Sequence, residues 1–155
     1  MPFGILWPTF ALVALIFIVW IAMVVARFGH VRRNPPSAAD FADGDSALRY
    51  FRPVEMPANN LRNLFEMPVL YFALVPLLLM THHGDHLQVV LAWIFVALRC
   101  LHSVIHIRRI SSTGMPPRTI VYLLSCLVLF VMWIVFFVDM LHAASLYHRA
   151  MGAMG

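Results

Sequence analysis

The sequence predicts an all-α integral membrane protein, a bundle of four transmembrane helices in a single domain over residues 1–155. The composition is 62% hydrophobic and 12% charged, against about 45–50% and about 25% in typical soluble domains. A soluble chain of 155 residues cannot bury that much apolar surface, because surface dominates volume at this size. Four long apolar segments, with the arginines gathered between them, indicate that membrane lipid covers what the fold does not.

The first two segments have different character. Residues 5–26 contain no charge and would span roughly 33 Å as a helix, which matches the hydrocarbon core of a bilayer. No basic residue precedes them, so a cleavable signal peptide is not predicted. The second segment covers about residues 64–81. It includes Glu66, Pro68 near its start and Pro76, where we expect a kink.

The last two segments cover residues 87–107 and 120–144. The third is interrupted by three ionisable residues, and the fourth carries no charge before Asp139. The longest connection, residues 27–62, is rich in proline and includes an Asp-Gly-Asp sequence. That composition disfavours a continuous helix but allows short helical turns.

The arginines predict the orientation of the chain. Nine of them lie in the first and third connections, one lies in the C-terminal tail and none lies in the second connection, residues 82–86. The positive-inside rule therefore places the first and third connections in the cytoplasm. Both termini are expected outside the cytoplasm, in a multi-pass protein of the cell inner membrane. Because the basic residues flank apolar segments, they do not indicate a nucleic-acid partner.

Ionisable side chains inside a membrane span are costly unless they are paired or face water. Asn63 and Glu66 share one face at the start of the second segment, and Arg99, His102 and His106 share one face of the third. The predicted orientation puts both groups near the cytoplasmic side. An ion pair between Glu66 and Arg99 would neutralise both charges.

Three interpretations of these residues remain open. The first is an interhelical polar clamp. The second is a polar cavity that opens to the cytoplasm and binds an anionic ligand. The third is a metal site in which Glu66 joins His102 and His106, although no metal-binding motif supports it.

Two stretches resemble the MAPEG family, the membrane-associated proteins in eicosanoid and glutathione metabolism. They are residues 58–72 (ANNLRNLFEMPVLYF) and residues 98–107 (LRCLHSVIHI). Chain length, the four segments and the long first connection agree with that family over essentially the whole chain. The resemblance is strongest to a bacterial branch of unassigned reaction.

The resemblance implies a homotrimer with glutathione sites between neighbouring subunits. Asn63 and Glu66 match an Asn-x-x-Glu pair that contacts glutathione, and Arg99 matches an arginine of the third helix. His102 and His106 stand where characterised enzymes carry tyrosines, and Asn59 stands where the family usually has arginine. The implied binding residues are therefore Asn59, Asn63, Glu66, Arg99, His102 and His106.

The thiolate-stabilising arginine of the family lies just past the third helix. Arg108 and Arg109 are the nearest candidates here, and with Arg99 they form the expected catalytic set, since adjacent cations favour a thiolate. The implied function is that of a glutathione transferase or peroxidase, with glutathione as co-substrate and a hydrophobic small molecule arriving through the bilayer. The alternative is a non-catalytic membrane subunit or lipid-binding scaffold that kept the fold without the glutathione chemistry.

Overall fold

The computed structural model describes residues 3–107 and 117–153 of the chain, and within them every regular element is helical. The α-helices are α1 (Leu6–Arg33), α2 (Gly44–Phe51), α3 (Met56–Glu66), α4 (Pro68–Met80), α5 (His86–Ile107) and α6 (Pro117–Ala153). Four spans are long and apolar enough to cross a membrane: α1, α3 together with α4, α5, and α6. The predicted class, an all-α membrane bundle of four spans, is confirmed.

The helices continue beyond the apolar segments that predicted them. The first helix was expected to end near residue 26 but runs to Arg33, and the fourth begins at Pro117 and runs to Ala153. Apolar residues mark only the hydrocarbon core, whereas helical hydrogen bonds continue through polar residues at the interface. The first helix ends where the N–H of Asn34 donates to the carbonyl of His30 at 2.9 Å, because Pro35 cannot continue it.

The second span begins at Met56, earlier than predicted, and is interrupted at Met67 between α3 and α4. The interruption has a local cause in the next residue. Pro68 has no N–H to donate to the carbonyl of Leu64, and its fixed φ suits the first position of α4. By contrast, α4 runs continuously through Pro76. The break therefore lies near the polar residues at the start of this span.

The first connection folds back onto the end of α1. The Asp43 side chain caps α2 by accepting a hydrogen bond from the Ser46 N–H at 2.6 Å, and this bond lowers the pKa of the Asp43 carboxyl. The Arg27 guanidinium lies 4.8 Å from the centre of the Phe51 ring. These contacts hold α2 beside α1 and bring the chain back to the start of α3.

An apolar core joins α1, α4, α5 and α6. Tyr71 stacks on Phe95 with ring centres 5.2 Å apart, and its hydroxyl shares a 2.9 Å hydrogen bond with the hydroxyl of Thr9. The most extensive helix contact is between α5 and α6. Large apolar side chains such as Phe17 and Ile18 remain exposed on α1, as expected of a surface that faces lipid.

One end of the bundle holds the ends of α1 and α5 and the beginnings of α3 and α6. We call it the arginine-rich end, since Arg32, Arg33, Arg62 and Arg118 lie there. Three helices converge at this end on a polar space.

Candidate functional site

A cavity of about 580 Å³ opens at the arginine-rich end between α3, α5 and α6. This volume is within the range of about 300–1,000 Å³ that is common for small-molecule sites. Its walls combine cationic, anionic, amide and imidazole groups. The lining residues are Met56, Asn59, Arg62, Asn63, Glu66, His102, His106, Arg118, Thr119 and Tyr122.

Helix α3 supplies the three polar residues that the sequence indicated. Asn59, Asn63 and Glu66 are four and three residues apart, so they lie along one face of a helix, and all three line the cavity. Glu66 is exposed, whereas the two asparagines are half-buried. Arg62 adds a cation to the same wall. The sequence analysis places this arginine only in the first connection.

Arg99 of α5 contacts two lining residues of the cavity, Asn63 and Tyr122, and is itself fully buried, with 0% of its surface exposed. One nitrogen of its guanidinium, Nη2, donates to the backbone carbonyl of Asn63. That carbonyl belongs to the last turn of α3, whose partial negative charge favours a cation. The other two nitrogens, Nε and Nη1, are buried without a hydrogen-bond partner in the described part of the chain.

The Glu66–Arg99 ion pair expected from the sequence is not formed among the described residues. The hydrogen bond of Arg99 goes to a backbone carbonyl instead, and Glu66 lies exposed on the cavity wall. The break before Pro68 makes the last carbonyls of α3 available to a side chain. The arginine thus binds the helix end rather than the carboxylate.

His102 and His106 of α5 also line the cavity and are almost fully buried, with 3% and 7% of their surfaces exposed. Their ring centres are 5.7 Å apart. His102 Nδ1 lies 2.9 Å from the backbone carbonyl of Arg118. His102 Nε2 and His106 Nδ1 are buried and have no partner in the described ranges.

Helix α6 supplies a wall that the sequence reasoning missed. Arg118, Thr119 and Tyr122 line the cavity, and the Tyr122 ring lies 5.6 Å from the ring of His102 and 5.4 Å from the Arg99 guanidinium carbon. The sequence held a signal for them, since Tyr122 is four residues after Arg118 and three after Thr119, and both spacings place side chains on one helix face. Hydropathy predicts that the fourth segment begins at residue 120, which leaves Arg118 and Thr119 outside it.

A buried polar contact behind the cavity also went unnoticed in the sequence. The Ser103 hydroxyl donates to Asn60 Oδ1 at 3.3 Å and joins α5 to α3. Both side chains are buried. Since hydrogen bonds between membrane helices stabilise their packing, this pair acts as an interhelical clamp, as do the bonds of Arg99 to α3 and of His102 to α6.

An apolar groove of about 270 Å³ lies between α4 and α6. It starts one residue after Glu66 on one side and one helical turn after Tyr122 on the other, so it continues from the cavity toward the bilayer centre. The indole nitrogen of Trp133 is buried there without a partner in the described residues. The groove is lined by Met67, Leu70, Cys126, Leu129, Phe130 and Trp133.

The structure thus brings together Asn59, Asn63, Glu66, His102 and His106 in one cavity lining, and Arg99 bonds the backbone carbonyl of Asn63. Arg108 and Arg109 lie outside the described residues. Within the described ranges, no group of three or more His, Cys, Asp or Glu side chains is arranged to hold a metal ion.

Comparison with known proteins identifies the family. A sequence model of the MAPEG family matches residues 5–138. No curated protein and no solved structure matches the chain. Because the match covers most of the sequence, with three spans and the greater part of the fourth, the chain belongs to the MAPEG family, membrane proteins of the type that acts in glutathione and eicosanoid metabolism.

Proposed function

We propose that this protein is a glutathione-dependent transferase or peroxidase that acts on hydrophobic substrates at the cytoplasmic face of the membrane. The observation that carries the proposal is the cavity itself. Charged, amide and imidazole side chains from three helices converge there, beside a buried guanidinium with two nitrogens that have no hydrogen-bond partner among the described residues. Buried polar atoms are nearly always hydrogen-bonded in proteins, so unpaired ones at a cavity favour a ligand.

Glutathione fits the residues that line this cavity. It carries two carboxylates, one ammonium group, two peptide bonds and a thiol. Arg62 and Arg118 suit the carboxylates, Glu66 suits the ammonium group, and Asn59 and Asn63 offer amide donors and acceptors for the peptide bonds. The bound tripeptide supplies the reactive thiol, and Arg99 supplies a positive charge that favours its ionised form.

The groove between α4 and α6 suits the second substrate. Its walls are apolar apart from the Trp133 N–H and the Cys126 thiol, and it lies along the part of the bundle that crosses the membrane. A hydrophobic electrophile or lipid hydroperoxide that dissolves in the bilayer would enter it from the side. Its reactive end would then meet the thiol where the groove joins the cavity.

Calorimetric titration tests the proposal against the alternative of a non-catalytic scaffold. We expect glutathione to bind the detergent-purified protein, and thiol-dependent turnover of a hydrophobic electrophile to follow. The control is the tripeptide in which serine replaces the cysteine, which should bind but support no turnover. Absence of glutathione binding would eliminate the proposed function and leave the scaffold.

The orientation is testable by labelling. We expect residues 27–62 to face the cytoplasm and residues 82–86 to face outward, because arginine is concentrated in the first connection. Both native cysteines are replaced first, and single cysteines are then introduced at Gly44 and Gly84. An impermeant thiol reagent added to intact cells should label position 84 only. Labelling at position 44 alone would reverse the topology.

We also propose a homotrimer. The cavity opens at the surface of one subunit beside Arg62 and Arg118, both exposed, so a neighbouring subunit can close it. Trimeric assembly is general in this family, which supplies the number three. Native mass spectrometry in mild detergent should give a trimer as the main species. A stable monomer under the same conditions would contradict this expectation.

A further inference from the structure

The hydrogen bond of His102 determines where its proton lies. Nδ1 is 2.9 Å from the carbonyl oxygen of Arg118. A carbonyl can only accept, so Nδ1 must carry the hydrogen and donate it. In the neutral imidazole the other nitrogen, Nε2, then holds a lone pair. The contact between α5 and α6 therefore prepares Nε2 as a proton acceptor.

Within the described part of the subunit, no donor forms a hydrogen bond to this lone pair. Nε2 is buried and makes no hydrogen bond there, while His102 itself lines the cavity. His106 differs, because within the described residues its ring bonds no backbone carbonyl and its Nδ1 is buried without a partner. Among the contacts of the described ranges, a bond that fixes the tautomer is present for His102 and not for His106.

Charged and titratable groups face His102 from three helices. Arg99 and His106 lie on its own helix, Arg118 and Tyr122 on α6, and Glu66 on the α3 wall of the same cavity. A proton on His102 would add a second positive charge close to Arg99. The transfer becomes favourable only if a negative charge forms at the same moment within this group.

We infer that His102 Nε2 is the general base that takes the proton from the glutathione thiol. The inference rests on the proposed function and assigns a catalytic step within it. The S–H bond breaks, an Nε2–H bond forms, and the electron pair stays on sulfur as a thiolate. The thiolate forms beside the imidazolium, and the Arg99 guanidinium, three residues before His102 on the same helix, adds a positive charge nearby. With an epoxide as acceptor, a C–S bond forms, a C–O bond breaks, and His102 returns its proton to the alkoxide.

The variant His102→Asn separates this role from a structural one. The asparagine amide retains a donor for the Arg118 carbonyl, so the variant should keep its fold and bind glutathione. It lacks the imidazole nitrogen that would accept the proton. We expect the ultraviolet thiolate absorbance of bound glutathione, clear in the wild type at neutral pH, to be lost. General-base catalysis contributes about 100- to 10,000-fold, so kcat/KM should fall by at least about 100-fold.

His106→Asn is the matched control. It removes an imidazole one turn away in the same cavity and should alter the KM for glutathione. It should nevertheless keep the thiolate band, and its kcat/KM should fall at acidic pH as that of the wild type does. His102→Gln provides a second variant if His102→Asn proves unstable, and it too should lack the band. If a His102 variant binds glutathione and shows a thiolate band as strong as that of the wild type, the inference about His102 is wrong, while the proposed function stands. Failure of the wild type to bind glutathione would remove the proposed function as well.

Discussion

Replacing Arg99 by leucine should weaken glutathione binding by at least about 30-fold without lowering the thermal midpoint of the ligand-free protein. Loss of one partner from a buried, hydrogen-bonded charge pair costs about 2–5 kcal/mol of binding free energy, which corresponds to about 30-fold or more. In the ligand-free subunit the guanidinium has one hydrogen bond, to the Asn63 carbonyl, and two buried nitrogens without partners in the described residues.

The stability of the ligand-free protein follows from the same geometry. A buried charge without a counter-charge costs several kcal/mol, so its removal offsets the loss of one hydrogen bond to the end of α3. Glu66→Gln should likewise change stability little, since Glu66 is exposed, and should weaken glutathione binding. The double variant should show no rescue of binding and additive effects on the midpoint.

Arg52→Leu is the matched control for this experiment, because Arg52 is exposed in the first connection and lies outside the cavity lining. It should change neither binding nor the midpoint. Melting curves with and without glutathione on the wild type and these variants give both readouts. Large losses of stability in each single variant that disappear in the double variant would show instead that Glu66 and Arg99 are ion-pair partners.

The second large effect is expected in the apolar groove. Cys126→Phe places a ring in a space of about 270 Å³ and should exclude a hydrophobic substrate. We expect kcat/KM for a long-chain electrophile to fall by at least about 10-fold, since loss of favourable apolar contacts worth ~1–3 kcal/mol changes rates by that order. Glutathione affinity should stay within about twofold of the wild type, because Cys126 does not line the cavity.

A small, water-soluble electrophile is the control substrate for this variant. It can reach the thiol from the cavity, so its kcat/KM should be nearly unchanged. Equal losses for both electrophiles would mean that the substitution disturbs the thiol site through α6. No loss for either would mean that hydrophobic substrates approach by another route.

The membrane fold and much of the cavity followed from local rules. Long apolar segments predict spans whatever their neighbours, because the bilayer imposes their length and polarity. Charges inside such segments are few, so Glu66, Arg99, His102 and His106 stood out, and helical spacing predicted which of them share a face. These rules predicted two of the three walls of the cavity.

The boundaries of the helices were less accessible to the same reasoning. Hydropathy reports where lipid lies, whereas a helix ends where its backbone hydrogen bonds end. For this reason α1 extends to Arg33 and α6 begins at Pro117. The earlier start of α6 turns Arg118 from a residue of the connection into part of the site.

What the sequence by itself determined is therefore the class of the protein, its four spans and the identity of the unusual polar residues. Only the tertiary structure decided which atoms meet. In the folded subunit, Arg99 bonds the carbonyl of Asn63 instead of the Glu66 carboxylate. His102 bonds the carbonyl of Arg118, which lies on another helix. Spacing along one helix orders its own faces, but the partner of a buried side chain depends on how two helices pack, since hydrogen bonds form only at short range and in a narrow range of directions.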